Sequence, residues 1–216
     1  MPARTIAIGD IHGCAAALDA VLEEIDLTTD DTLVTLGDYV DRGPHSRDVI
    51  ARLIELQQRC RLVPLLGNHE LMMIESIAGG DVDFWLTCGG FDTVQSYGGE
   101  IDNIPPEHVD FLNDCRNHWQ CDSHFFVHAN YRAELSLASQ PEHAVLWEHL
   151  HFHVPGPHVS GKVAIVGHTP QRSGEILDLG HLKCIDTFCI GGQWLTALDV
   201  HSGQQWQATA SGELRT

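Results

Sequence analysis

Three short apolar runs near the start of the chain each end in glycine followed by Asp or Asn, and amphipathic stretches separate them. Residues 5–9 lead into Gly9-Asp10, residues 32–36 into Gly37-Asp38, and residues 62–66 into Gly67-Asn68. Between them, Leu18, Val21, Leu22 and Ile25 are spaced as one face of a helix over residues 15–25. Residues 49–56 repeat that spacing with Val49, Ile50, Leu53 and Ile54. Strand–helix–strand–helix–strand with short links predicts parallel strands with right-handed crossovers, and so an α/β fold. In such a sheet the functional loops gather at the carboxyl ends of the strands. Asp10, Asp38 and Asn68 should therefore converge on one edge.

The remainder is less uniform. Residues 70–120 read as helices and loops, punctuated by Gly79-Gly80, Gly89-Gly90 and Gly98-Gly99, with a helix starting at Pro105-Pro106. Residues 124–128 and 163–166 are again strand-like. Residues 181–185, 194–200 and 204–209 predict three consecutive antiparallel strands, the last two joined at Ser202-Gly203. Pro155-Gly156-Pro157 reads as a loop, and residues 1–216 as a single domain.

Each strand-like run delivers oxygen or nitrogen donors. They are G-D-I-H-G at 9–13, G-D-Y-V-D-R-G at 37–43, G-N-H-E at 67–70, His128-Ala129, and G-H-T at 167–169. Carboxylate, imidazole and amide oxygen together suit hard or borderline divalent ions at a hydrolytic site. Asp10 and His12 can serve one ion, Asn68, His128 and His168 a second, and Asp38 can bridge both. Two such ions polarise a phosphoryl oxygen and acidify a bridging water. The glycines beside the donors allow tight turns and close approach. Composition sets a constraint here, because 12 basic side chains face 30 acidic ones, for a net charge of −18. That excludes nucleic acid and an anionic membrane as partners. It also means that a phosphate-handling site needs a local source of positive charge, which bound dications supply.

This motif set resembles the phosphoprotein phosphatase family of binuclear-metal serine/threonine phosphatases. It is most similar to the compact bacterial and phage branch that includes lambda phosphatase. Residues 184–187 (C-I-D-T) extend the resemblance toward the C-terminus. The resemblance implies a calcineurin-like metallophosphoesterase fold, a central β-sandwich flanked by helices. It implies two divalent ions, with manganese as the in vitro activator and iron, zinc, cobalt or magnesium as alternatives. It assigns Asp10 and His12 to one metal, Asp38 to the bridge, and Asn68, His128 and His168 to the other. His69 corresponds to the acid that protonates the leaving oxygen, Asp41 to its carboxylate partner, and Arg42, with Asn68, to the substrate phosphate. The implied reaction is direct attack of metal-bound hydroxide on phosphoserine or phosphothreonine, with phosphotyrosine also open. The partner is then a phosphoprotein or phosphopeptide.

Two positions depart from the family pattern. A second phosphate-binding arginine is expected before the G-H-T strand, yet residues 133–161 contain no Arg or Lys. Arg132, His149 or His151 is left to take its place. Asn130 also stands where many members have glycine. The five tryptophans and Met72-Met73 read as packing, His143 and His158 as solvated, and Cys14 and Cys184 as small buried residues. Seven cysteines without C-x-x-C spacing and no leader pattern at Met1-Pro2-Ala3 predict a reduced, cytoplasmic protein. A diadenosine tetraphosphatase-like nucleotide hydrolase is the alternative activity. Such enzymes usually depart from V-D-R-G and N-H-E, both intact here. A non-catalytic phosphoprotein-binding module would have lost a ligand or the acid, and all are present.

Overall fold

The computed structural model describes residues 3–216. β1 (Thr5–Ile8), α1 (Ala15–Ile25), β2 (Thr32–Thr35), α2 (Ser46–Leu56) and β3 (Arg61–Pro64) form the expected alternation. The three strands are parallel and in register, Ala7 opposite Val34 and Val34 opposite Val63. Then follow α3 (Asn68–Ile77), α4 (Val82–Trp85), α5 (Phe91–Ser96) and α6 (Pro106–Asn113), which begins at the expected proline. The rest comprises β4 (His118–Gln120), β5 (His124–Val127), α7 (Glu142–Trp147), β6 (Val163–Val166), β7 (Leu177–Asp178), β8 (Leu182–Cys184), β9 (Leu195–Asp199) and β10 (Gln205–Ala208).

Two five-stranded mixed sheets result, ordered β10-β9-β1-β2-β3 and β4-β5-β6-β8-β7. Side-chain alternation makes them a sandwich. Ala7, Val34, Phe126 and Ile165 point between the sheets, with Leu65, Ile185 and Leu198. Their neighbours Ile6, Ile8 and Leu33 face outward under α1, α2 and α3. On the second sheet, Phe125, Val127, Ala164 and Val166 face outward under α7 and the loop around Leu137. Both faces of the central strands are thus buried, which is why these strands read as unbroken apolar runs.

One expectation about strand order fails. β8 lies parallel to β6 in the second sheet, whereas β9 pairs antiparallel with β1 in the first. Residues 185–194 carry the chain across the sandwich through a turn at Phe188 (φ 63°) and a short 3₁₀ segment, Cys189–Gly191. Only β9 and β10 form the expected hairpin, closed at Gly203, whose N–H donates to the Asp199 carbonyl. Ahead of β1 and β2, Arg4 donates to buried Asp31 from its backbone N–H at 2.9 Å and its guanidinium at 2.6 Å. No helix among the described residues is long and apolar enough to cross a membrane.

Candidate active site

The carboxyl ends of β1, β2, β3, β5 and β6 meet at one edge of the sandwich, and each delivers the residues its motif carries. Close backbone approach is essential there. A Cβ on Gly67 would lie 2.3 Å from Asp38 Oδ1, and one on Gly167 would lie 2.2 Å from Asp10 Oδ1. Among the described residues, seven non-glycine residues have positive φ, and five belong to this edge: His12, Asp38, Asp41, Arg42 and His168. Clustering of left-handed backbone marks a site whose geometry the surroundings enforce.

Asp38 joins two donor groups. Its carboxylate lies with His12 and His69 on one side and with His128 and His168 on the other, each set of donor atoms within 4.8 Å of one another. His128 Nδ1 donates to the Leu36 carbonyl at 2.8 Å, and His168 Nε2 to the Trp147 carbonyl at 3.2 Å. Those bonds fix the tautomers and leave His128 Nε2 and His168 Nδ1 as bare lone pairs, 3.1 Å apart. Asn68 Oδ1 is 3.1 Å and Asp38 Oδ1 3.4 Å from the same His128 Nε2. Four acceptors thus converge with no proton among them, an arrangement that calls for a cation. His12 is fixed in the same way, Nδ1 donating to the Val40 carbonyl at 2.9 Å while Nε2 stands 3.5 Å from Asp38 Oδ2. Asp10 joins neither group in this structure; its carboxylate accepts the His168 N–H at 3.1 and 3.0 Å.

Charge leads to the same conclusion. Burial, then Asp186 and Asp38, raise the Asp10 carboxyl well above its ordinary range. Burial pushes His12 and His168 down to about 3, keeping them neutral as metal ligands must be. Asp10, Asp38, Asp41, Glu70 and Asp186 are five buried carboxylates, against the single guanidinium of Arg42 at the rim. Divalent cations bound there would offset this excess of buried carboxyl groups and favour their ionised form. The residues therefore fit a pair of divalent ions.

His69 Nδ1 and Asp41 Oδ2 are 2.7 Å apart, and His69 Nε2 is 4.0 Å from Asp38 Oδ2. Burial works against the charged imidazolium, but Asp38 and Asp41 outweigh it and raise the pKa of His69. Asp41 is wholly buried and receives further hydrogen bonds from Trp85 Nε1 at 3.1 Å and the Thr93 hydroxyl at 2.7 Å. These two partners lie 44 and 52 positions away in sequence, and nothing local in the chain signals them. Trp85 does pack in the core, as expected, but its indole N–H also holds Asp41.

Glu70 is the other residue whose role the sequence reading misses. Its carboxylate accepts the N–H groups of Asp38 and Tyr39 at 2.7 Å, Gly67 at 2.9 Å and Val40 at 3.2 Å. It fastens the loop after β2 to the start of α3, and G-N-H-E carries it in plain sight. Arg42 is exposed; its backbone N–H donates to the Gly89 carbonyl, and its guanidinium donates to His12 Nε2 at 2.8 Å.

Of the residues left to replace the second arginine, Arg132 is engaged bidentately by Glu148 at 2.5 and 3.0 Å. His149 packs its ring 4.3 Å from that of His168, and its Nδ1 is the one buried side-chain polar atom without a partner among the described residues. His151 stacks outside it at 6.1 Å. Asn130 donates to the His153 carbonyl at 2.8 Å, so the side chain that replaces glycine tethers the loop above the site. His143 is exposed as expected. His158 corrects its reading as solvated: it is buried against Phe125, donating from Nε2 to the Leu135 carbonyl. Met72, Met73, Cys14 and Cys184 are buried as expected, and all seven cysteines are free.

Comparison with known proteins places this geometry. Symmetrical bis(5'-nucleosyl)-tetraphosphatase of Salmonella typhimurium is 46% identical over 76 residues, 35% of this chain and 26% of that protein. The match thus spans about a quarter of the curated relative's length. The crystal structure of a candidate diadenosine tetraphosphatase superposes with a TM-score of 0.73 at 20% identity, covering 96% of this chain and 94% of the other. A cold-active protein-tyrosine phosphatase from a Shewanella species gives 0.70 at 15% identity, over 100% and 80% of the two chains. These structures share the two-sheet sandwich. Residues 3–187, which include every donor at the sheet edge, match the calcineurin-like phosphoesterase family as a whole. The chain belongs to the calcineurin-like phosphoesterases, a family of binuclear metallohydrolases.

Proposed function

We propose that the protein is a serine/threonine-type protein phosphatase that hydrolyses phosphomonoesters, with two divalent ions bound among Asp10, His12, Asp38, Asn68, His128 and His168. Manganese is the expected activator. The ions supply Lewis acidity toward the phosphoryl oxygens and acidify water. The observation that carries the reading is the His69–Asp41 pair at 2.7 Å, anchored by Trp85 and Thr93. A serine or threonine alkoxide is a poor leaving group, so a proton held at His69 Nε2 and delivered to the departing oxygen is worth roughly 10²–10⁴ in rate. Arg42 grips two phosphate oxygens in a bidentate pair, and Asn68 orients the group beside it. The partner is a phosphoprotein in the cytoplasm rather than nucleic acid or lipid, in keeping with the acidic composition and free thiols.

The second reading is hydrolysis of dinucleoside tetraphosphates, favoured by the name of the relatives that match over 76 residues. A nucleoside diphosphate leaves as a stable anion and needs no acid, so a built acid dyad argues for the ester. The test compares the wild type with His69→Asn on a phosphoserine peptide, p-nitrophenyl phosphate and diadenosine tetraphosphate. His69→Asn should lose about 10²-fold or more in kcat on the peptide and far less on p-nitrophenyl phosphate, whose leaving group needs no proton. Cleavage of the dinucleotide with no phosphate release from the peptide would overturn the proposal.

A further inference from the structure

We infer that Asp186 is a further metal ligand, which joins Asp10 and His12 on their ion through the one carboxylate oxygen that has no protein partner. The inference rests on the two-ion reading of the site and adds a donor from outside the five motifs that supply the others. The two ions are unequally served without it. Asn68, His128 and His168 with Asp38 offer four donors to one, whereas Asp10 and His12 with the same Asp38 offer three to the other. That side has room for one more carboxylate.

Asp186 follows β8 on the segment that crosses the sandwich, and this segment presses on the loop that carries Asp10. A Cβ on Gly9 would lie 2.5 Å from the Ile185 carbonyl oxygen and 3.4 Å from the Asp186 nitrogen. The Gln171 N–H donates to the Asp186 carbonyl at 2.8 Å and fixes the backbone there. Asp186 is 6% exposed, and its Oδ1 accepts the Phe188 N–H at 3.0 Å. Its Oδ2 accepts no hydrogen bond among the described residues. Nor is that oxygen sealed in: among those residues the one enclosed side-chain polar atom lacking a partner is His149 Nδ1.

The neighbouring charges give its bearing. Burial acts first on the Asp10 carboxyl, and of the charges around it Asp186 raises it most, ahead of Asp38. Burial likewise pushes the Asp186 carboxyl up to about 7, and Asp38 and Arg42 act on it in turn. Arg42 cannot serve as its counter-ion here, because its guanidinium is engaged with His12 Nε2 at 2.8 Å. A turn does not account for the residue either. One oxygen suffices to accept the Phe188 N–H, and Asn makes the same bond without a charge. A carboxylate buried beside two others is unfavourable unless a cation lies among them. The free oxygen, its burial and the company of Asp10 and Asp38 together specify a divalent cation.

The experiment titrates the metal-free full chain with manganese by calorimetry, comparing the wild type with Asp186→Asn, which keeps the turn acceptor and removes the charge. The wild type should bind two ions. The variant should bind one of them about tenfold or more weakly and the other as before. Its metal-free unfolding midpoint should equal or exceed that of the wild type, since a buried repulsion is gone, whereas a merely structural role predicts a lower one. Two ions bound with wild-type affinity, or both weakened equally with a lowered midpoint, overturn the inference and leave the two-ion reading intact. A wild type that binds fewer than two ions overturns that reading and the inference with it. A crystal structure of the manganese-loaded wild type decides without any substitution: Asp186 Oδ2 should lie about 2.2 Å from the ion beside Asp10. A carboxylate turned away from that ion overturns the inference.

Discussion

At the residue scale, the site is built from side chains whose partners are mostly backbone. Glu70 is the clearest case: two carboxylate oxygens answer four N–H groups from the loops that carry Asp38 and Asn68. Glu70→Gln replaces one acceptor oxygen by an NH₂ that faces buried N–H donors. The expected outcome is a loss of about 3 kcal/mol, read as a fall in denaturation midpoint, together with weaker metal uptake measured by elemental analysis. An unchanged midpoint with two full metal sites would show that this carboxylate does not hold the loops together. Asp41 was legible in V-D-R-G, and its partner His69 in G-N-H-E. What keeps Asp41 in place was not, because Trp85 and Thr93 come from the helical region between residues 70 and 120, where no motif repeats. Chemistry written in contiguous strings can be read from a single sequence, whereas a hydrogen bond across 52 positions cannot.

At the element scale, the strands were legible because both their faces are buried, and periodicity then leaves little choice. Which sheet a strand joins is decided elsewhere. β8 and β9 each read correctly as strands, but the crossing between them depends on Phe188 adopting a left-handed conformation that its residue type does not favour. The start of the first sheet illustrates how elements are tied by charge. Burial alone would raise the Asp31 carboxyl, but the Arg4 guanidinium and the N–H groups of Thr28 and Arg4 outweigh it and hold its pKa well below the ordinary range. A carboxyl depressed on folding stabilises above its unfolded value of about 3.9 and loses that contribution as pH falls toward its folded value. Asp31→Asn should therefore cost roughly 2 kcal/mol at pH 7 and progressively less below pH ~4. Thermal melts of both proteins across pH 2.5–7, a span of about four units around that value, check this. Parallel curves over the whole range would refute it.

At the scale of the whole molecule, the charge of −18 divides into two populations. Five carboxylates are buried at the sheet edge, where their sum calls for cations. Most of the others are exposed, and five of the twelve basic side chains are already ion-paired: Arg4, Arg52, Arg132, Lys183 and Arg215. The field outside the site is therefore negative. Phosphopeptides flanked by Lys or Arg should show kcat/KM several-fold above acid-flanked ones at low ionic strength, with the gap closing as salt is added. Higher turnover of the acid-flanked series at low salt would contradict this. The five left-handed residues of the sheet edge carry a last consequence. Each is held at a cost of roughly 1 kcal/mol that glycine would not incur. Arg42 is the most exposed of them and the least tied to the core, so a glycine there would relieve strain and remove the proposed phosphate grip together. Directed evolution of this chain for heat resistance alone, with no demand for turnover, would therefore drift toward sturdier proteins that no longer hold a substrate.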